Sequence, residues 1–219
     1  MTFSNKDAVC VLSDMIKTIQ SNAVYLSEID GKIGDADHGV NMNKGFSLWQ
    51  SRMEGKQYSL SEGLSLLSQT LMDDIGGSMG PLYGVFFDEM SMACQDQINE
   101  DVFENMLKAA LDGIKDIGGA KRGDKTLLDT LIPGVQAYSA ELQEGKGFCA
   151  ALEALKEGAK AGWEETEDMV ARVGRASRLG ERSRGVVDAG ATSCYLLLCS
   201  IADSILGIIK KNPDPACDR

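Results

Sequence analysis

Residues 9–30 read Val-Cys-Val-Leu-Ser-Asp-Met-Ile-Lys-Thr-Ile-Gln-Ser-Asn-Ala-Val-Tyr-Leu-Ser-Glu-Ile-Asp. Val9, Leu12, Ile16, Ile19, Ala23 and Leu26 recur at spacings of three and four, which predicts a helix with one apolar stripe, ending near Asp30. The same period returns along the chain. Ser59-Leu60-Ser61-Glu62 reads as a capping box ahead of Leu64, Leu67 and Leu71. Val102, Met106, Leu107, Ala110, Leu111 and Ile114 mark a further stripe; Leu127, Leu128, Leu131, Val135 and Tyr138 mark another; Phe148, Leu152, Leu155 and Ala159 mark a third. Ala191 to Ile209 is apolar on most faces, which predicts a central helix. No run alternates over the length of a strand, and the four prolines stand near the end of the chain (Pro213, Pro215), after a glycine (Pro81) or inside a helical pattern (Pro133). The fold class is all-α: an antiparallel bundle forming a single domain over residues 1–211, with a short polar tail over 212–219.

A chain of 219 residues with 43% hydrophobic content can bury a full core. Its net charge of -11 excludes a surface that gathers phosphates by long-range attraction, so no nucleic-acid partner is expected. A phosphate bound here needs a metal or a nest of backbone amides. Apolar stretches are broken by charges or glycines short of a membrane span, and Met1-Thr2-Phe3-Ser4-Asn5-Lys6-Asp7 lacks the apolar segment of a signal peptide. No membrane association and a cytoplasmic location are expected. The six cysteines contain no Cys-x-x-Cys pair, so neither a zinc site nor a disulfide framework is expected; most are read as reduced core residues, and Cys217 as an exposed member of the tail.

Polar chemistry concentrates just after the first helix. Residues 30–45 read Asp-Gly-Lys-Ile-Gly-Asp-Ala-Asp-His-Gly-Val-Asn-Met-Asn-Lys-Gly, with three aspartates and the chain's only histidine. A Gly-bent loop of aspartates provides the oxygen ligands that Mg²⁺ prefers while leaving positions for phosphates. An EF-hand is excluded, because counting from Asp35 the turn glycine falls on Val40 and the closing glutamate on Phe46. The bland alternative is that Asp30, Asp35 and Asp37 only cap adjoining helices.

Three glycine-rich breaks follow. Ile75-Gly76-Gly77-Ser78-Met79-Gly80-Pro81 bends and opens a helix, presenting free N–H groups and the positive dipole end that suit a phosphate. It is neither a Walker loop nor a dinucleotide fingerprint. Gly118 to Thr126 is the second break, and Gly174 to Ser193 the third, with four arginines in an otherwise acidic chain. Each alone reads most simply as a connection. With helices running up and down, however, alternate connections share one end of the bundle, so these loops can meet around one ligand.

The segments Gly34-Asp35-Ala36-Asp37-His38-Gly39-Val40-Asn41-Met42, Gly76-Gly77-Ser78-Met79-Gly80-Pro81-Leu82-Tyr83-Gly84, Gly123-Asp124-Lys125-Thr126 and Gly174-Arg175-Ala176-Ser177 with Leu179-Gly180-Glu181-Arg182-Ser183 resemble the dihydroxyacetone kinase L subunit. The four motifs keep that family's order and spacing across residues 30–193 and are jointly very specific. The resemblance implies an eight-helix antiparallel barrel holding ADP (ATP during turnover) at one end through two Mg²⁺ ions. It implies metal ligands at Asp30, Asp35 and Asp37; phosphate contacts from His38, Gly39, Val40 and Asn41; and contacts from Gly77, Ser78 and Met79 at the glycine-rich helix start. Gly118, Leu127 and Arg175 would lie along the adenosine, with Asp188, Ala189 and Gly190 closing the site. Asp30, Asp35, Asp37, His38 and Arg175 form the implied catalytic set. Three positions depart from the family: Met79 stands where serine is common and keeps only the amide donor, Ala189 where proline is usual, and Arg178 where tyrosine is common.

The length of the chain resembles the free-standing L subunit of phosphotransferase-dependent enzymes, in which bound ADP is rephosphorylated in place by the phosphohistidine of an M subunit and passes the group to a ketose on a K subunit. The resemblance leaves room for a transcriptional regulator and a homodimer as further associations. Phosphoryl transfer itself needs mainly positioning and neutralisation of oxygen charge, which metals on three carboxylates, turn amides and Arg175 can supply. His38 is then a donor to a phosphate oxygen, the alternative being a phosphohistidine relay. Two other functions stay open: an ATP-dependent kinase domain for another small ketose or tetrulose, resembling fatty-acid kinase components, and a nucleotide-dependent regulatory module without turnover.

Overall fold

The computed structural model describes residues 1–211; the 212–219 tail, including Cys217, lies outside the described residues. Eight α-helices follow in order among them: α1 (Val9–Ile33), α2 (His38–Met53), α3 (Leu60–Asp74), α4 (Met79–Ala93), α5 (Glu100–Gly118), α6 (Leu127–Gln143), α7 (Phe148–Glu165) and α8 (Ala189–Lys211). Each packs against the next, and α8 returns to α1, so the ring closes into a barrel. Short connections make neighbours antiparallel from α1 to α7, and the loops after α1, α3, α5 and the longer one after α7 share one rim, where they line a common cleft.

Helix boundaries follow local chemistry. The capping box at Ser59 forms as read: the Glu62 amide donates to Ser59 Oγ at 3.3 Å and the Glu62 carboxylate accepts from the Ser59 amide at 2.8 Å. Thr126 and Asp129 build a second box at the start of α6, with Asp129 fully buried. α1 runs to Ile33, one turn beyond Asp30. Pro133 lies inside α6, as expected. Helix α7 approaches α6 so closely that a Cβ at Gly162 would sit 2.1 Å from the Asp129 carbonyl oxygen.

Two buried aromatic groups organise the core. Phe46, Trp49, Tyr83, Phe86 and Phe87 interlock, with Phe86 and Phe87 edge to face at 5.0 Å. Phe103, Tyr138 and Phe148 form the second, and Phe3 stacks on Phe148. Phe3 belongs to a two-stranded antiparallel ribbon, β1 (Thr2–Ser4) with β2 (Gln97–Asn99), that the sequence reading had not anticipated. Three residues are too few to establish a period of two; the ribbon exists because Phe3 and Ile98 are buried together.

The α8 segment is buried along most of its length, as its apolar composition implies, but it takes a place in the ring between α7 and α1 and is not a central helix. Contrary to the expectation that every apolar stretch stops short of a membrane span, it is the one described helix long and apolar enough to cross a membrane, and most of that stretch is buried against α1, α6 and α7. The cysteines correct the sequence reading: Cys194 is buried, but Cys10 is exposed and Cys94, Cys149 and Cys199 are half-buried. An apolar neighbourhood in sequence did not place these thiols on the inner face.

Candidate functional site

The four loops of one rim enclose a cleft of about 510 Å³. Its acidic side begins on the last turn of α1, where the Asp30 carboxylate accepts from the amides of Asp37 at 3.0 Å and His38 at 3.3 Å and so caps α2. The capping role is real, and the Asp30 carboxylate also lies beside those of Asp35 and Asp37. Ala36 between them adopts φ 62°, a left-handed conformation costly for a residue with a Cβ. This bend brings carboxylate oxygens of Asp30, Asp35 and Asp37 within 4.8 Å of one another.

Three like charges so close repel unless a cation intervenes. The chain supplies one: the Arg175 guanidinium pairs with Asp35 and reaches Asp37 at 3.8 Å. A protein cation seated on two of three half-exposed carboxylates is a stand-in for metal charge, and an all-oxygen set open to solvent fits a hard divalent ion that retains water or phosphate ligands.

Opposite lies the start of α4. Ser78 occupies its N-cap without a side-chain cap bond, so the first-turn amides, including that of Met79, remain available to an anion. Ile114, Ile117, Leu82, Leu127, Leu128 and Val173 line the remaining apolar part of the cleft, where a flat heterocycle can be desolvated.

Lys125 ties two of the loops together. It is 2% exposed, in a left-handed backbone conformation of φ 64°, and its ammonium donates to the carbonyl oxygens of Met169 at 3.2 Å and Ser183 at 2.5 Å. Met169 precedes the arginine-rich segment and Ser183 lies within it, at the end of the Ala176–Ser183 3-10 helix kinked at Gly180. The Arg172 amide adds a bond to the Asp124 carbonyl at 3.1 Å. The segment bearing Arg175 is thus fastened to the α5–α6 turn. Burial pushes the Lys125 ammonium below the usual lysine range, with nearby Asp188 opposing.

Two further groups are tuned by burial. Asp188 caps α8 by accepting the Ala191 amide at 2.8 Å, and burial raises its carboxyl to about 6. Burial lowers His38 to about 4, against the pull of Asp30, so its ring is neutral at physiological pH. Its Nε2 lies 2.8 Å from Ser193 Oγ, which lies 2.6 Å from the buried Tyr83 hydroxyl.

Of the residues singled out in the sequence, Asp30, Asp35, Asp37, His38, Asn41, Gly77, Ser78, Met79, Gly118, Leu127, Arg175, Asp188, Ala189 and Gly190 line the cleft. Gly39 and Val40 do not. Gly39 is the contact between α1 and α2, where a Cβ would lie 2.0 Å from the Ala23 carbonyl oxygen, and Val40 points outward, 62% exposed. Arg175 sits at the acidic end of the cleft, paired with Asp35. Lys125, Tyr83 and Ser193 were not assigned roles from sequence, although Lys125 and Tyr83 fall inside the quoted motifs; their partners lie 44 or more residues away.

An eight-helix barrel with an acidic, glycine-lined cleft at one rim defines a helical protein whose cleft offers carboxylates to a cation and helix-start amides to an anion. The DAK2 domain family model matches residues 32–203, and the chain belongs to that family. It is 34% identical over 206 residues to the ADP-binding subunit DhaL of the PEP-dependent dihydroxyacetone kinase of Escherichia coli strain K12, covering 92% of this chain and 98% of that protein. It is 36% identical over 199 residues to the ADP-binding subunit DhaL of PEP-dependent dihydroxyacetone kinase 1 of Listeria innocua, covering 90% of this chain and 95% of the relative. The crystal structure of the dihydroxyacetone kinase from C. freundii in complex with AMP-PNP and Mg²⁺ superposes with a TM-score of 0.67 at 23% identity. That match covers 93% of this chain and 35% of the larger one, and shows the shared fold.

Proposed function

We propose that this chain is the nucleotide-holding subunit of a phosphotransferase-dependent dihydroxyacetone kinase, binding ADP with two Mg²⁺ ions and returning to ADP after each transfer. The observation that carries the reading is the meeting of four alternate loops in one cleft, acidic at one end and apolar at the other. Likeness over nearly full length to subunits named for binding ADP supports it.

Asp30, Asp35 and Asp37 would hold the metal, which when bound neutralises phosphate oxygen charge. The amides at the start of α4 hold the phosphate chain, and the apolar wall holds the base. His38, neutral, donates a hydrogen bond to a phosphate oxygen and keeps no phosphoryl group. Arg175 exchanges its carboxylate partners for phosphate oxygens when ligand enters. No protein nucleophile is required, because positioning and electrostatics account for transfer between nucleotide and partner. The donor is the phosphohistidine of an M subunit and the acceptor a ketose held on a K subunit, in the cytoplasm.

The identity of the ketose rests with the K subunit. A likeness of 32% over 188 residues to the D-erythrulose kinase of Mycolicibacterium smegmatis, of which this chain covers 32%, makes a tetrulose the second candidate acceptor. Denaturing the purified protein and analysing released nucleotide tests the central reading. Stoichiometric ADP, lost together with thermal stability on EDTA treatment, is expected, since a ligand bound only to the native state stabilises it by mass action. No recoverable nucleotide and unchanged melting in EDTA refute it.

A further inference from the structure

We propose that Tyr83 and Ser193 are positioning residues that hold the His38 proton on Nδ1, so that the ring presents an N–H donor rather than a lone pair to an anionic oxygen in the cleft. The inference deepens the reading above and rests on it for the identity of the oxygen. Four contacts define the arrangement: Tyr83 OH to Ser193 Oγ at 2.6 Å, Ser193 Oγ to His38 Nε2 at 2.8 Å, and two longer approaches to the Gly190 carbonyl, from Ser193 at 3.1 Å and Tyr83 at 3.3 Å.

Hydroxyl donors prefer acceptors at about 2.5–3.0 Å, so both approaches to Gly190 are long. That carbonyl is also at the start of α8, where it accepts from its own helix. The two hydroxyl protons therefore follow the two short contacts: Tyr83 donates to Ser193, and Ser193 donates to Nε2. An acceptor Nε2 on a neutral imidazole requires the proton on Nδ1. With the opposite tautomer, the Ser193 or Tyr83 proton would have to settle for a long contact to Gly190. Among the described residues Nδ1 has no protein partner and is not a buried unsatisfied nitrogen; His38 itself lines the cleft. Tyr83 and Ser193 are both buried in the core, which holds them in place without ligand. The nearby Asp30 carboxylate favours an N–H over a lone pair on the open side of the ring.

Because His38 is the only histidine, labelling the full chain with ¹⁵N-histidine gives ring-nitrogen signals from this residue alone. Long-range ¹H–¹⁵N correlation spectra at pH 7.5 are expected to show Nδ1 protonated and Nε2 unprotonated, in the EDTA-treated protein and with ADP and Mg²⁺ added. Ser193→Ala should move the ring toward the mixed tautomers of free imidazole, Tyr83→Phe should do so to a smaller degree, and ADP binding in Ser193→Ala should weaken roughly threefold to tenfold. A protonated Nε2 in the unaltered protein overturns the inference, as does an unshifted tautomer in the two variants. Should Ser193→Ala fail to fold, the unaltered protein and Tyr83→Phe decide. Failure to bind ADP with the Nδ1–H tautomer intact refutes the functional reading and leaves the positioning in place; ADP binding with the other tautomer does the reverse.

Discussion

Replacing Lys125 by methionine removes the ammonium that joins the arginine-rich segment to the α5–α6 turn while keeping most of the aliphatic volume. The buried carbonyl of Ser183 and the partly buried carbonyl of Met169 lose their donor. An unpaired buried carbonyl costs about 1–3 kcal/mol, and removal of a buried ammonium relieves part of its desolvation, so the net loss should be about 2–4 kcal/mol. For a domain of this size that corresponds to a fall in melting temperature of roughly 5–15 °C. The damage should be local before it is global. Amide hydrogen exchange should accelerate across residues 169–185 and stay unchanged in α3 and in the aromatic core around Phe86. Because Arg175 rides on the loosened segment, ADP should bind more weakly as well. Melting within about 1 °C of the parent, with unaltered exchange in 169–185, would refute the clamp.

The remaining expectations concern charge. Asp35→Asn and Asp37→Asn keep side-chain size but remove ligand charge, so each should abolish nucleotide retention and phosphoryl transfer with the helical circular-dichroism spectrum intact; near-normal transfer in both would contradict the metal assignment. In EDTA-treated protein, His38 and Asp188 should impose opposite pH slopes. The folded-state pKa of His38 is lowered to about 4, so the unfolded chain binds more protons between pH 4 and 6.5, and stability from this group is present above 6.5 and lost as pH falls. That of Asp188 is raised to about 6, so the folded chain binds more protons between pH 4 and 6, and stability from this group is present at low pH and lost as pH rises. Urea melts from pH 4 to 7.5 should show the difference between Asp188→Asn and the parent growing with pH in the variant's favour, whereas His38→Asn should gain relative to the parent as pH falls. Identical pH profiles would show that neither group is tuned by burial. Incubation with phosphorylated M subunit should label the nucleotide, recovered as ATP, and His38→Asn should slow transfer by about 1.5–3 kcal/mol without eliminating it; acid-labile phosphate retained on His38 would establish a relay instead.

Helix identity was legible from sequence because it depends on neighbours three and four residues apart, as in Val9 to Leu26 and the Ser59 capping box. Their antiparallel order followed from short connections, and that order allowed the acidic and glycine loops to be assigned to one rim. Motif chemistry was local too: three aspartates within eight residues can converge on one ion without help from the rest of the chain. Residues whose roles depend on distant partners were not legible. The His38–Ser193 contact spans 155 positions, Tyr83–Ser193 spans 110, and Lys125 reaches carbonyls 44 and 58 residues away. The seating of Arg175 on Asp35 and Asp37, the outward turn of Val40 and the exposure of Cys10 likewise depend on how the ring closes. Side-chain pattern dictates which face of a helix is apolar, but only packing α8 against α1 and α6 decides which polar groups are sealed beside the cleft, and hence which protons and charges it presents.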